Sequence, residues 1–569
     1  MTILVMGLVA SGIPIFVVGY VVAVISKPYY GATPENEWAS FVQPHLPDWA
    51  IPGHGEAAMH PFYEGLPSGQ PAPLGVWCGP LAWWLSLVLA LYLACFCLVV
   101  VLRRQWVEHE RLVFPVAEVP RLLLAEGPSS VLPTIFRARV FWLGCALPLV
   151  IILFNVVAYF EPGFPQVPVH RETHVQLFDG TVPVVLLLYF PVVGFMYLVS
   201  TAISFSIWAF YLVTLAESGL VAWAGLTVAQ PDEFVWDWQT LSWQAYGAFF
   251  AMVGWSLWVA RRHLAAVGRH VWGRGRRLDD SGEMLPYCWA VWGGLAALLY
   301  VGVWLWRAGM EAPVAALYVG GLVVMFVGFT RLVIQAGLHY LTPPMNPQAL
   351  TVALTGTAVA PRSLVGLALS HGLFGDVESL FMPSAAHAAR LNEVCRYQRA
   401  LSLAIALAVV VGLVVSAYFI LHLCYRYGAG NLRSWFFEAG AGAGGRAFDA
   451  AVRQLREPWP TDWGKLAYFG LGAGFYSLLS LCQFRFHWWP LHPVGLTVAT
   501  TWMVRRTVLS VFVAWLLKTA ILRLGGVRLY RQLRPFFVGL IVGFYVGVGI
   551  SYAVDVVWFF GKGHPILHG

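Results

Sequence analysis

Charge is scarce in this chain. Asp, Glu, Lys and Arg make up 11% of its 569 residues, where a soluble domain carries roughly 25%. Long hydrophilic intervals are missing too: the longest, about residues 26–76, is rich in Pro and Gly, so no ordinary soluble domain fits. Nucleic acid is excluded as a partner, because the net charge of +7 sits in short intervals and not on a basic domain. No Cys-x-x-Cys pair occurs among the eight cysteines, most of which lie in or beside apolar runs, so neither a disulfide framework nor a zinc framework is implied. Phosphate-binding loops, nucleophile elbows, haem-attachment motifs and glycine-rich dinucleotide fingerprints are absent as well. No catalytic residue, cofactor or metal is therefore assigned.

Apolar residues are abundant, at 59%, with 15% aromatics and a mean hydropathy of +0.69. Apolar runs near 20 residues recur along the chain, each long enough to cross a hydrocarbon core of roughly 30 Å as a helix. The expected fold is all-α, a polytopic integral membrane protein with about 14 spans and a range of about 12–16. The spans are placed at about 3–25, 77–102, 140–160, 182–199, 202–223, 242–260, 286–306, 313–337, 348–374, 400–424, 464–483, 488–505, 507–523 and 535–560. Residues 3–25 lack a basic leader and a small-residue cleavage site, and read as a retained first span. Interval 348–374 is also compatible with a re-entrant segment.

Arginine sets the expected sidedness. Tract 103–139 holds Arg103, Arg104, Arg111, Arg121, Arg137 and Arg139; 261–277 holds six arginines, and 523–534 holds Arg523, Arg528, Arg531 and Arg534. The positive-inside bias places all three in the cytoplasm, together with the N-terminus. Arg505 and Arg506 conflict with this scheme if every span crosses. Trp77, Trp83, Trp84, Trp488, Trp489 and Trp558 read as interfacial anchors.

Ionisable groups inside spans are costly, so they tend to face a partner or a cavity. Glu217 in LVTLAESGLVAW, Arg331 in GFTRLVIQAG, and Asp376 and Glu378 in SHGLFGDVESLF meet that description. Lys518 lies nearer a span end and is discounted as a snorkelling side chain. The segment HYLTPPMNPQALTVALTG carries Pro343, Pro344 and Pro347 where a helix would need N–H groups. It reads as a helix broken at membrane depth, the alternative being a Pro-rich loop between spans. His339, Asn346, Gln348, His371, Asp376 and Glu378 flank the break. The candidate substrate or ion pathway is Glu217, Arg331, His339, Asn346, Asp376 and Glu378, and Glu108, His109 and Glu110 form a candidate gate. FPVAEVPRLLL at 114–124 echoes LTPPMNPQALTVAL at 341–354 in proline spacing, as an internal two-fold repeat would. Histidines in 26–76 and in HRETH at 170–174 show no recognised metal spacing.

The tract RRQWVEHERLVFPVAEV resembles one carried by a bacterial family of multi-span proteins of unknown function. HWWPLHPVGLTVATTW and LLKTAILRLGGVRLYRQLRPFFVGLIVG, within 487–543, resemble its companion C-terminal domain. The resemblance implies a main transmembrane domain over 1–460, a companion over 464–569, and the bacterial inner membrane as location. LVFP followed by a helix is also similar to a motif of the oligopeptide transporter superfamily, which implies a transporter-like fold. The leading expectation is a secondary transporter of a small organic solute, peptide-like or a metal chelate, coupled to protons. One alternative is a membrane-embedded, lipid-linked glycosyltransferase-like enzyme using Glu35, Glu37 and Asp48. Another is a non-catalytic subunit of a larger complex. The partners implied are the bilayer, a small substrate or ion, and other copies or subunits.

Overall fold

The computed structural model describes the chain except residues 1–11, 54–55, 68, 125–132, 168–172, 178–181, 227–231, 233–234, 236–237, 275–277, 339–340, 342–343, 374–379, 392–397, 433, 439–442, 561–562 and 565–569. Among the described residues, the regular structure is helical apart from one antiparallel hairpin, β1 (Thr173–Leu177) with β2 (Val182–Leu186). Among the described residues, nine helices are long and apolar enough to cross a membrane. They are α1 (Ile13–Tyr30), α2 (Gly75–Arg104, extended by a π-turn to His109), α4 (Arg139–Phe160), α6 (Thr201–Trp223), α8 (Tyr287–Arg307), α9 (Ala312–Ala336), α13 (Gln398–Tyr427), α15 (Trp463–Arg485) and α17 (Trp502–Trp558). Between them lie α3 (Pro115–Leu123), α5 (Phe190–Leu198), α7 (Gln239–Val271), α10 (Pro347–Thr355), α11 (Pro361–Leu369), α12 (Phe381–Leu391), α14 (Ala443–Arg456) and α16 (Val494–Val498).

The outer helices show why lipid is the matching solvent. On α13, Leu403, Leu407, Val414 and Tyr418 form an exposed apolar stripe. Trp289, Leu299 and Trp306 on α8, and Leu478 and Leu481 on α15, are exposed as well. A soluble monomer rarely tolerates an apolar surface this extensive.

Nine is fewer than the expected 14 or so, and each difference has a physical cause. Run 182–199 is uniformly apolar, yet it is strand β2, an extended stretch and the short helix α5. A buried extended segment and a buried helix have the same hydropathy. Interval 348–374 is two short helices, α10 and α11, followed by a 3₁₀ turn at Ser370–Leu373. Interval 488–505 contains only the five-residue α16 before α17 starts at Trp502, so Arg505 and Arg506 belong to the first turns of α17. Helix α7 covers 242–260, with Thr240, Ser242, Gln244, Ser256 and His263 buried while Trp255, Leu257, Trp258 and Val259 are exposed. A face packed against protein need not be apolar, and the polar residues on that face keep α7 below the composition of the nine long apolar helices.

The spans expected at 507–523 and 535–560 are arms of α17. As a straight rod its 57 residues would reach about 85 Å, far beyond a bilayer core. Gly526 breaks it, with φ 61° and ψ −158°. Lys518 Nζ then lies 4.9 Å from the centre of the Tyr530 ring, a contact possible only if the arms fold back on each other.

The three basic tracts meet at one end of the bundle, hereafter the basic end. Arg534 pairs with Glu118 at 2.5 Å, and Arg103 pairs with Glu283 at 2.7 Å. His263 Nε2 contacts the Val101 carbonyl at 2.8 Å. At the opposite end, the Leu66 amide donates to the Tyr425 carbonyl at 2.8 Å.

The second arm of α17 packs against α4 through glycines. A Cβ added at Gly144 would sit 2.0 Å from the Phe536 carbonyl oxygen, and one at Gly543 would sit 2.0 Å from that of Cys145. Such backbone-to-backbone approach is how helices associate where lipid supplies no hydrophobic drive. Gly144→Val or Gly543→Val is expected to cost about 1–3 kcal/mol through overpacking. Gly549→Ala, with open space around it, is expected to be neutral. Thermal unfolding in detergent or nanodiscs checks both.

Candidate functional site

Helix α9 ends at Gly337, whose φ of 64° turns the chain. Leu338, Leu341, Met345 and Asn346, among the described residues before α10 begins at Pro347, are buried and not helical. Pro347 packs beside Gly321 of α9, about 14 Å along that helix at 1.5 Å per residue. The start of α10 therefore lies beside the interior of α9 and not at either of its ends. Asn346 Oδ1 caps α10 by accepting from the Ala349 amide at 2.9 Å. The Asn346 carbonyl accepts from the Tyr246 hydroxyl at 3.2 Å.

Two polar atoms at this helix start are left over. Asn346 Nδ2 and Gln348 Oε1 are buried with no hydrogen-bond partner. Gln348 Nε2 donates to Ser370 Oγ at 3.1 Å, joining the start of α10 to the turn that ends α11. The positive end of one short helix thus meets the carbonyl end of another, the pairing that discontinuous helices offer to charged solutes.

On the basic-end side of this break lies a buried ion pair. Arg331 Nη2 sits 2.6 Å from Glu110 Oε2, both side chains 12% exposed. Arg331 Nη1 donates to Ser256 Oγ at 2.7 Å, and Gln105 Nε2 donates to Glu110 Oε1 at 3.0 Å. The backbone places Glu110: the π-turn Gln105–His109 ends with the Glu110 amide on the Gln105 carbonyl. Arg111 and Phe114, both with positive φ, then reverse the chain into α3. The Phe114 amide donates to the Ile334 carbonyl at 2.9 Å, fastening LVFP to α9. One turn beyond Arg331 on α9, the Gln335 side-chain amide faces the His492 ring at 3.3 Å. A cleft of about 600 Å³ opens beside Glu110, lined by Arg104, Gln105, His109, Arg262 and His263 among others.

A second ion pair lies on the other side. Lys465 Nζ contacts Asp232 Oδ1 at 3.1 Å, with side chains 4% and 12% exposed. The Trp243 indole donates to Asp232 Oδ2 at 2.8 Å. Burial pushes the Asp232 carboxyl above the usual carboxylate range, while Lys465 and Trp243 pull against that shift. A cavity of about 50 Å³ touches Asp232, Lys465, Arg453 and Gln348, so this pair and the broken helix share one space.

The expected site residues divide accordingly. Arg331 and Glu110, placed separately in pathway and gate, meet in one ion pair. Asn346 caps the broken helix. Glu108 is an exposed partner of Arg104 at 2.9 Å, and His109 lines the cleft with its ring 5.9 Å from that of His263. Glu217 stands apart, hydrogen-bonded to Gln244. His339, Asp376 and Glu378 lie outside the described residues. Of the acids considered for an enzyme, Glu35 is exposed and Glu37 pairs with Arg456. No group of three His, Cys, Asp or Glu side chains suited to a metal occurs among the described residues.

Asp232, Lys465, Gln335 and His492 were not anticipated. The two charged members look like ordinary span-end residues in the sequence. Lys518 needs correction: it is 7% exposed and turned inward, where a snorkelling chain would reach the interface.

Residues 1–568 match a family of unknown function, DUF6785. The chain belongs to that family. The match carries no link to the oligopeptide transporters, and no curated protein matches the chain.

Arg331→Met would leave Glu110 buried and unpaired, and is expected to lower stability by about 3–5 kcal/mol. Adding Glu110→Gln to that variant should recover most of the loss. Denaturant unfolding of both purified variants reads the difference.

Proposed function

We propose that this DUF6785 member is a secondary transporter of a small organic solute, peptide-like or a metal chelate, coupled to protons. The observation that carries the reading is the start of α10: a helix end beside the interior of α9 with Asn346 Nδ2 and Gln348 Oε1 buried and unpartnered. An unsatisfied buried polar atom costs about 1–3 kcal/mol, and a solute bringing its own donors and acceptors repays that cost. The ion pairs Glu110–Arg331 and Asp232–Lys465 flank this point on opposite sides. Closed together they describe an occluded state, and alternating access requires each to part in turn. Energy comes from an ion gradient, with Asp376 and Glu378 as the proton-carrying groups.

The finer topology belongs to the same proposal. The basic end faces the cytoplasm of a bacterial inner membrane together with the N-terminus, as the positive-inside bias directs. Extended and half-helical segments complete crossings beyond the nine long helices. The proline-started helices α3 at Pro115 and α10 at Pro347 carry the repeat through the shared proline spacing of 114–124 and 341–354, a start that α11 at Pro361 also has. The division into 1–460 and 464–569 and assembly with further copies are part of this reading too.

Proteoliposomes under an inward acid gradient test it. Uptake of dipeptides and amino-acid–metal chelates is expected to depend on the gradient. It should fall at least about tenfold, the loss of one hydrogen bond to a charged group, in Asn346→Leu and in Asp376→Asn with Glu378→Gln. Uptake indifferent to the gradient, or intact in the double carboxylate variant, ends the proton-coupled mechanism.

A further inference from the structure

Helix α5 stops at Leu198 inside the protein, and α6 starts just beyond it at Thr201. The carbonyls of Tyr197 and Val199 at this break are held by one group. Lys518 Nζ, from the first arm of α17, donates to Tyr197 O at 2.9 Å and to Val199 O at 2.5 Å. The ammonium also lies 4.9 Å from the centre of the Tyr530 ring and 5.8 Å from that of Tyr197. Lys518 is 7% exposed and forms no ion pair with a carboxylate among the described residues. Arg534, a cation on the second arm, is committed to Glu118 at 2.5 Å.

A desolvated charge without a counter-ion is expensive. Here its compensation is main-chain oxygen at the negative end of a short helix, together with two ring faces. Rings of backbone carbonyls are how proteins replace the hydration shell of a monovalent metal ion. We propose that this break is a small-monovalent-cation site, of the sodium, potassium or alkylammonium class, and that Lys518 fills it permanently as a tethered cation. The helix break at Val199 then needs no metal ion from solution. Val199 also touches the chain reversal at Gly337, so the same charge steadies the junction at which α9 ends.

The experiment empties the site and offers it free cations. Full-length Lys518→Ala, in nanodiscs, is unfolded thermally in sodium, potassium, methylammonium or N-methylglucamine chloride at one ionic strength. A melting temperature several degrees below wild type is expected in N-methylglucamine, which is too large to enter. Saturable recovery of at least half the loss is expected in methylammonium, and recovery in sodium or potassium identifies the metal preference. Wild type and Lys518→Met, whose sites are filled by a side chain, should respond equally to all four salts. Lys518→Ala with a wild-type melting temperature, or with no difference among the salts, overturns the proposal. If this variant folds only when purified in methylammonium, the proposal stands; failure to fold in every salt overturns it.

Discussion

Hydrocarbon cannot hydrogen-bond to a bare peptide group, and this protein breaks its helices inside the bundle several times. Each break is therefore answered from within. The Tyr197 and Val199 carbonyls take Lys518. The Tyr189 amide and the Leu187 carbonyl both use the Ser510 hydroxyl. The His492 amide is taken by Ser206 Oγ, and Asn346 caps α10. The long apolar helices are the wall that keeps these exchanges inside protein, since a lipid-facing bare amide costs several kcal/mol.

Helix α7 shows how the interior is organised around that constraint. Tyr246, Phe249, Val253, Ser256, Ala260, His263 and Val267 follow one buried stripe, spaced three and four residues apart. Its polar members meet, in order, the broken helix at Asn346, the ion pair at Arg331 and the basic end at Val101. Trp243 extends the series to Asp232. A single rigid helix thus contacts the unpaired polar start of α10 and both flanking ion pairs. A tilt or shift of α7 would reach all three places.

What was legible in the sequence was the chemistry that acts locally. Proline clusters marked the interruption before α10, because proline removes the donor that a helix needs. Arginine tracts marked one end of the bundle. The run 182–199 misled, since continuous hydropathy does not distinguish extended from helical backbone, although Pro183 and Pro191 bracket the extended part. The conflict over Arg505 and Arg506 was itself a signal: it arose because 488–505 does not form a long helix. Long-range pairing was not legible. Nothing local to Glu110 or Arg331 indicates that they meet, and Lys518 reads as peripheral until α17 is seen to fold back at Gly526.

The fold-back of α17 bears on how the chain is assembled during synthesis. Its second arm packs on α4 and α5, and its first arm supplies the cation that finishes α5. The surfaces that receive α17 are made some 300 residues before it. Until the ribosome reaches the last tenth of the chain, α4 and α5 carry close-packing glycines against lipid, and the carbonyls after α5 are uncovered. The early half must therefore wait in an open form, guarded by lipid or by an insertion chaperone, until the final hairpin enters as a closing clasp.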